Sequence, residues 1–593
     1  MNRQFYDNEK EIDLAEQKVL HKRAKKVVAG RTAIFFAVIL CLAAGYDGIH
    51  HFYGGALVFF LIFLRLIHYH EMIKRRQEFL KSRLSVLGSY ISRARGTWRK
   101  RSNDGSVYLK NDRPQDTDLY IFGAGSIFQY ICAARTKRGR DRLAESLSPF
   151  PPPDFKNVRF RQKGVAELLT RPRLSLDLEA FGRLLPDNHD TSKLIELIEE
   201  PLPKINPLVK LRYLNIVIFL FLLYLSYSGE INFWIPFFVP FISLIIIFTC
   251  LNSTAKILQP LKVISSELRL YKEIFKRIEE TNLNSACLSK IQDAFKDEIS
   301  AYEELQRLSV LVEVVNMRKN PVFFIIFNAL FMHDFQCIAA FLKLREHAAK
   351  HLRQWIDAWS EMEVLLSLAS IGQTRTTFCF PILIDTAEPH IEAENLTSLL
   401  IADKKAVSND IILNAGTTII TGSNMSGKTT WIRTLASSVL LAYAGAPVCA
   451  KGFVVSKLAI FTSIRVNDDI SQGLSTFYAE LLRIKSMIEY SSGKMPMLIC
   501  IDEIFKGTNS TDRIIGAKEA IRHLTNNWSI TLVTTHDFEL CDLTSDNDTP
   551  VYNSHFEEYY IGDEIHFDFK LRQGRCHTTN AKYLLKMAGI LSQ

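Results

Sequence analysis

The sequence predicts an α+α/β chain with transmembrane helical hairpins, a long-helix core, and a C-terminal P-loop domain of alternating strands and helices. Three observations carry that prediction. Apolar, almost charge-free stretches fall in two pairs within the first 255 residues. Residues 256–370 set apolar side chains at three- and four-residue spacing among many charges, the pattern of long helices. From about residue 390, short β-rich runs alternate with helical ones around a Gly-rich loop. At 593 residues the chain has room for about four domains. Its 48% hydrophobic and 23% charged residues exclude a disordered or collagen-like polymer. A mean hydropathy of +0.04 is high for a soluble enzyme, which puts apolar length in a membrane. The net charge of +9 permits an anionic partner without requiring one. Ten cysteines without a CxxC pair argue against a zinc ribbon or disulfide scaffold and fit a reducing cytoplasm.

The first apolar pair is Thr32–Tyr46 and Phe52–Ile67, with Asp47, His50 and His51 between the arms and Arg65 near the end of the second. The second is Tyr213–Gly229 and Ile231–Ala255, separated by Glu230. Each arm is expected to span, or nearly span, about 30 Å of hydrocarbon. A charged stretch ahead of Thr32 argues against a cleaved signal peptide. Lys22, Arg23, Lys25, Lys26 and Arg31 precede the first pair, and Lys74, Arg75 and Arg76 follow it. Lys204, Lys210 and Arg212 precede the second, with Lys256 and Lys262 after it, while the turns between arms hold no Lys or Arg. This asymmetry predicts a multi-pass membrane protein of four helices, with both termini and the large polar segments in the cytoplasm.

The expected organisation is a basic N-terminus over 1–31, hairpins at 32–67 and 211–255, a basic linker over 68–116, and helical core segments at 117–210 and 256–388. Residues 389–593 form the α/β domain. The Pro-rich run at 149–153 breaks the first core segment, because proline cannot continue a helix.

The chemistry lies in that last third. A short β run, Thr417–Thr421, leads into Gly422, Ser423, Asn424, Met425, Ser426, Gly427, Lys428 and Thr429, and a helical stretch begins at Thr430. This is G-x-x-x-x-G-K-[ST] in a strand–loop–helix setting, where backbone N–H groups cradle phosphates and the helix N-terminus assists. Lys428 is expected to pair the β/γ-phosphates and Thr429 to bind Mg²⁺. The apolar run Met497–Ile501 ends in Asp502 and Glu503. Asp502 is placed to hold Mg²⁺ through water, and Glu503 to orient or deprotonate an attacking water. Ile530–Thr534 delivers His536, a candidate γ-phosphate sensor. The residues predict Mg²⁺-dependent ATP hydrolysis.

These segments resemble the MutS family of ATPases, related to the ABC/SMC class. The resemblance includes 461–480, with Gly473, Ser475 and Thr476, then 502–512, and 534–537. Upstream, 118–129 and 136–143 are similar to the start of the family's helical core, and Glu361–Ala369 to its end. The resemblance implies an ABC-like ATPase domain, a homodimer with composite ATP sites, and long helices that act as levers. It implies that Ser475 and Thr476 approach the partner's γ-phosphate and that Asn424 helps place the attacking water. It further implies a dimer-forming tail around Asn580.

Departures bear on the biological role. No Phe-x-Glu mismatch reader is present in residues 1–116, and the second apolar pair falls where the family inserts a DNA clamp. Ala406 and Val407 stand where the family has an adenine-stacking aromatic, with Phe569 offering a ring from another direction. The leading expectation is a membrane-anchored MutS-like ATPase acting on DNA, related to mismatch repair, with basic surface at the linker and lever helices as phosphate contact. The basic stretch 77–116 fits lipid headgroups equally well. The alternative is an ABC-like mechanical ATPase acting on the membrane or a membrane partner without DNA. A transporter is disfavoured because the spans carry almost no intramembrane charge.

Overall fold

A computed structural model describes residues 2–199, 207–263, 265–296, 300–423, 425–465, 476–505, 510–544, 549–561 and 564–576. The N-terminal region is mostly helical and the C-terminal part holds two mixed sheets. The chain divides into two compact units: residues 1–133, 141–176 and 364–593, and residues 134–140 and 177–363.

The first unit opens with α1 (Asn2–Tyr46) and α2 (His51–Arg95), each 45 residues and so about 67 Å long. They pair antiparallel from end to end. Tyr6 stacks on Tyr90 at 5.1 Å, Arg76 Nε donates to Glu16 at 2.8 Å, and Phe35 packs on Phe63 at 5.8 Å. Arg83 is buried and holds both Glu9, at 2.6 Å, and Asp13. At the other end Phe36, Leu40, Leu57 and Leu61 are exposed. Both helices are long and apolar enough to cross a membrane.

The expected arms Thr32–Tyr46 and Phe52–Ile67 are thus the apolar ends of much longer helices. The range 68–116, expected as a basic linker, is helical as far as Arg95. Part of its basicity turns inward: Arg83 and Arg93 are buried, and Arg101 donates to the carbonyls of Gln129 and Tyr130 at 2.9 Å, while Lys74, Arg75, Lys81, Arg99 and Lys100 stay exposed. A buried cation needs such partners, since desolvation without them is costly.

Six shorter helices follow: α3 (Pro114–Asp118), α4 (Ile127–Ile131), α5 (Lys137–Leu147), α6 (Phe155–Thr170), α7 (Pro172–Gly182) and α8 (Ser192–Glu199). The Pro-rich run separates α5 from α6, and Asp154 caps α6 by accepting from Lys156 N at 3.0 Å.

The second unit contains α9 (Leu214–Tyr227), α10 (Phe238–Thr249), α11 (Leu251–Val263), α12 (Ser265–Glu280), α13 (Ala286–Asp293), α14 (Ala301–Asn316), α15 (Pro321–Phe331) and most of α16 (His333–Thr374). Helix α12 packs on α14, and its buried stripe of Leu268, Tyr271, Phe275 and Ile278 has the predicted spacing. The apolar region departs from expectation. The first arm is α9 of 14 residues and the second begins as α10 of 12, about 21 and 18 Å long against roughly 30 Å of hydrocarbon. The second is long and apolar enough for a span only together with the helix that follows it. The chain bends by 72° between Ile235–Thr249 and Leu251–Leu261. A third apolar helix, α15, stands inside the region expected to be polar lever helices; Asn320 caps it by accepting from Val322 N at 3.0 Å.

One buried carboxylate organises the second unit near Thr136. Glu363 on α16 accepts from Arg135 N at 2.8 Å, Thr136 N at 3.1 Å and the Thr136 hydroxyl. Gly139 is required beside it, because a Cβ there would lie 2.2 Å from Glu363 Oε2. Burial raises the Glu363 carboxyl to about 7 against these hydrogen bonds.

The C-terminal part holds β1 (Ile382–Leu383), β2 (His390–Leu396), β3 (Asn409–Asn414), β4 (Gly416–Thr421), α17 (Lys428–Ala444), β5 (Gly452–Val455), β6 (Ala459–Ser463), α18 (Thr476–Ser491), β7 (Met497–Asp502), α19 (Ser510–Leu524), β8 (Ser529–Thr534), β9 (Val551–Ile561) and β10 (Glu564–Gln573). A four-stranded sheet runs β1-β5-β2-β3, and a six-stranded one β10-β9-β4-β8-β7-β6. The larger sheet is parallel except for its β9–β10 hairpin. Strands β4, β7 and β8 are buried along their whole length, which is why they read as continuous apolar or Thr-rich runs. Ile419, Ile499, Ile501 and Val533 join Ile521 and Leu524 of α19 in the core.

Candidate active site

Parallel pairing brings the C-terminal ends of β4, β8 and β7 side by side, with Ile420 opposite Thr534 and Thr534 opposite Asp502. The loop from Gly422 leaves β4 and turns into α17. Gly422 has φ +143°, and a Cβ there would lie 2.6 Å from Phe556 O, so neither backbone shape nor space admits a side chain. Lys428 is buried and reaches back over the loop, Nζ donating to Gly422 O at 2.5 Å and Ser423 O at 2.8 Å. Burial holds its pKa below the usual lysine value, while Glu503, Asp502 and Glu558 pull the other way.

The facing groups come from β7 and β8. Thr429 Oγ1 donates to both Asp502 carboxylate oxygens, at 2.8 and 3.0 Å, and Thr534 Oγ1 donates to Asp502 Oδ1 at 2.5 Å. Glu503 has φ +58°, a strained conformation fixed by its N–H donating to Thr534 O at 3.0 Å. His536 Nδ1 stands 3.7 Å from Glu503 Oε1. A cavity of about 330 Å³ opens here, lined by Ser423, Met425, Gly427, Lys428, Thr429, Thr430 and Glu503 on one side. Ala406, Val407 and Phe569 line it too. A β-bulge between Phe567 and Leu571 presents Phe569 at φ +54°. Asn409 pins it, donating from Nδ2 to Phe569 O at 3.0 Å and accepting from Leu571 N at 2.7 Å.

The structure therefore brings Gly422, Ser423, Met425, Ser426, Gly427, Lys428, Thr429 and Thr430 together with Asp502, Glu503 and His536. Asn424 and Ser475 lie outside the described residues, as does the tail around Asn580; Thr476 opens α18, but its side chain also lies outside them. Three carboxylates escaped the sequence reading as functional groups. Glu558 on β9 accepts from Ser423 Oγ at 2.9 Å, and Glu480 on α18 accepts from Phe505 N at 2.7 Å. Asp118, fully buried, accepts from Thr462 Oγ1 at 2.8 Å and from the N–H groups of Ile464 and Arg465 at 3.0 Å. An acidic residue inside a β run, as Glu558 is, was the available signal; Asp118 and Glu480 carry none beyond their place in the resembling segments.

Chemically the site sets the Lys428 ammonium at the edge of a buried parallel sheet, beside the oxygens of Thr429, Asp502 and Glu503. It lies in an α/β domain whose Gly422–Thr429 loop links β4 to α17. Residues 418–592 match the family model of MutS domain V. The DNA mismatch repair protein MutS of Natronomonas pharaonis is 28% identical over 257 residues, covering 42% of this chain and 29% of that protein. The C-terminal part of the chain is thus similar to the MutS family. The match spans less than a third of that relative's length.

Proposed function

We propose that this chain is a membrane-anchored, MutS-like ATPase that binds and hydrolyses Mg²⁺-ATP as a homodimer, couples turnover to movement of its long helices, and acts on DNA in a role related to mismatch repair. The observation that carries this reading is the convergence of Lys428, Thr429, Asp502, Glu503 and His536 at one sheet edge. Lys428 exchanges its two loop carbonyls for β/γ-phosphate oxygens. Thr429 and Asp502 offer the hard oxygens that suit Mg²⁺. When bound, that ion neutralises charge developing on the transferred phosphoryl group. Glu503 orients the attacking water and takes its proton, and His536 beside it reads the γ-phosphate. Phe569 supplies the aromatic wall for the base where Ala406 and Val407 cannot stack. Ser475, Thr476 and Asn424 are assigned to the trans contact and to water placement by resemblance. Hairpin α1–α2 is the anchor, with the ATPase domain in the cytoplasm.

The inward turn of Arg83, Arg93 and Arg101 favours a second reading, a mechanical ATPase acting on the membrane or a membrane partner without DNA. One experiment separates them: DNA binding by the detergent-solubilised chain, with homoduplex and mismatched duplex, at two salt concentrations, with and without ATP. Binding that weakens steeply with salt is expected for phosphate contact. Equal affinity for both duplexes removes mismatch recognition, and no binding at low salt selects the mechanical reading.

A further inference from the structure

A helix that packs on a protein in water turns its apolar stripe inward and its polar residues out. Helices α9, α10 and α15 do the reverse. The buried residue of α9 is Asn215 and that of α15 is Asn328, while α10 buries Ser243 and Ile247. Facing outward are Val217 and Phe221 of α9, Phe241 and Ile242 of α10, and Val322 and Ile326 of α15, from 48 to 64% exposed.

The inward polar side chains each make a hydrogen bond to backbone, although Asn215 Oδ1 has no partner among the described residues. Asn215 Nδ2 donates to Leu330 O at 3.0 Å, joining α9 to α15. Ser243 Oγ donates to Val239 O at 2.9 Å, and Asn328 accepts from Asp334 N at 2.9 Å. Phe248 of α10 meets Phe324 of α15 at 6.1 Å. Arg318 and Asp334, just outside the two ends of α15, form a buried ion pair of 2.9 Å that closes this short helix off from both neighbours.

No Asp, Glu, Lys or Arg occurs in Tyr213–Gly229, Ile231–Ala255 or Asn320–Phe331. Lys210, Arg212, Lys256 and Lys319 flank these stretches, and Arg212 stacks on Tyr213 at 4.9 Å. Polar groups turned in and bonded to backbone, apolar groups turned out, and cations at the margins are what hydrocarbon bounded by anionic headgroups selects. A watery partner surface does not require the interior to be the polar side.

We propose that α9, α10 and α15 form one lipid-embedded cap on the second unit, with α15 a membrane element in its own right. This adds a second attachment to the anchor read from α1–α2, and it holds whether or not ATP or DNA is bound. The test uses the full chain reconstituted in phosphatidylcholine–phosphatidylglycerol vesicles. Benzoylphenylalanine is placed singly at Val322, Ile326 or Phe221, with Phe36 of α1 as anchor reference and Glu303 of α14 as aqueous reference, and the photoproducts are weighed by mass spectrometry. Lipid adducts at Val322, Ile326 and Phe221, at no less than half the yield at Phe36, with none at Glu303, are expected. Adducts at Val322 without any at Phe36 would keep the cap and remove the α1–α2 anchor. Cross-linking of Val322 and Ile326 to a second copy of the chain, or no lipid adduct there while Phe36 is labelled, overturns the cap.

Discussion

Among the described residues, Lys428 Nζ hydrogen-bonds two carbonyls of its own loop, and this decides what its removal does. Lys428→Ala should abolish nucleotide binding while leaving the fold intact, because the lost bonds are local; equilibrium binding of a fluorescent ATP analogue checks this. Glu503→Gln keeps the shape and removes the proton acceptor, so ATP should bind and turnover should fall by 10²-fold or more. Full turnover by that variant would remove Glu503 from its assigned role. At Glu363 the effect is on stability. Its carboxyl is raised from 4.5 to about 7 in the folded chain, so the fold binds more protons than the unfolded chain between those values. The stabilisation is complete below about pH 4.5 and is lost as pH rises toward 7, by up to about 3 kcal/mol. Urea unfolding across that range should show the slope in the native chain and a flatter line in Glu363→Gln.

Among the elements, α1 and α2 share a buried cation, Arg83. Arg83→Ala leaves Asp13 buried without its cation while Glu9 keeps Arg173 at 2.8 Å, a loss expected to cost about 3 kcal/mol. Limited proteolysis should then cut between residues 2 and 95 well before it does in the native chain. The elements also show where sequence is informative. The loop from Gly422 to Thr429 was legible because its chemistry is contiguous; the arrival of Asp502 and His536 beside it was legible because strand ends in a parallel sheet lie at one edge. The polar halves of α1 and α2 were not, since their pairing rests on contacts some 70 residues apart, Arg83 to Asp13 among them. Composition alone made 77–116 a basic surface, but charge count does not say which guanidinium groups face inward. Helix α15 was missed for a different reason: an apolar helix of 11 residues is too short for a span, and the helices on either side are polar.

For the whole molecule, the functional reading requires hydrolysis and membrane association in one particle. Purified chain should need detergent to stay dispersed and should release phosphate from ATP only with Mg²⁺; a protein soluble without detergent, or inactive with the metal supplied, would sink the proposal. Glu503→Gln with ATP should raise the dimer fraction in light scattering, because a stalled site holds both copies at their shared nucleotides.

The locked register of the two N-terminal rods has a mechanical corollary. A bilayer gripping their far ends would fix the heading of the catalytic domain as well as its height, since a helix turns about 100° for every residue added. Splicing seven residues into each rod would raise the domain by about 10 Å and nearly preserve its bearing, whereas splicing in two would swing it more than halfway round.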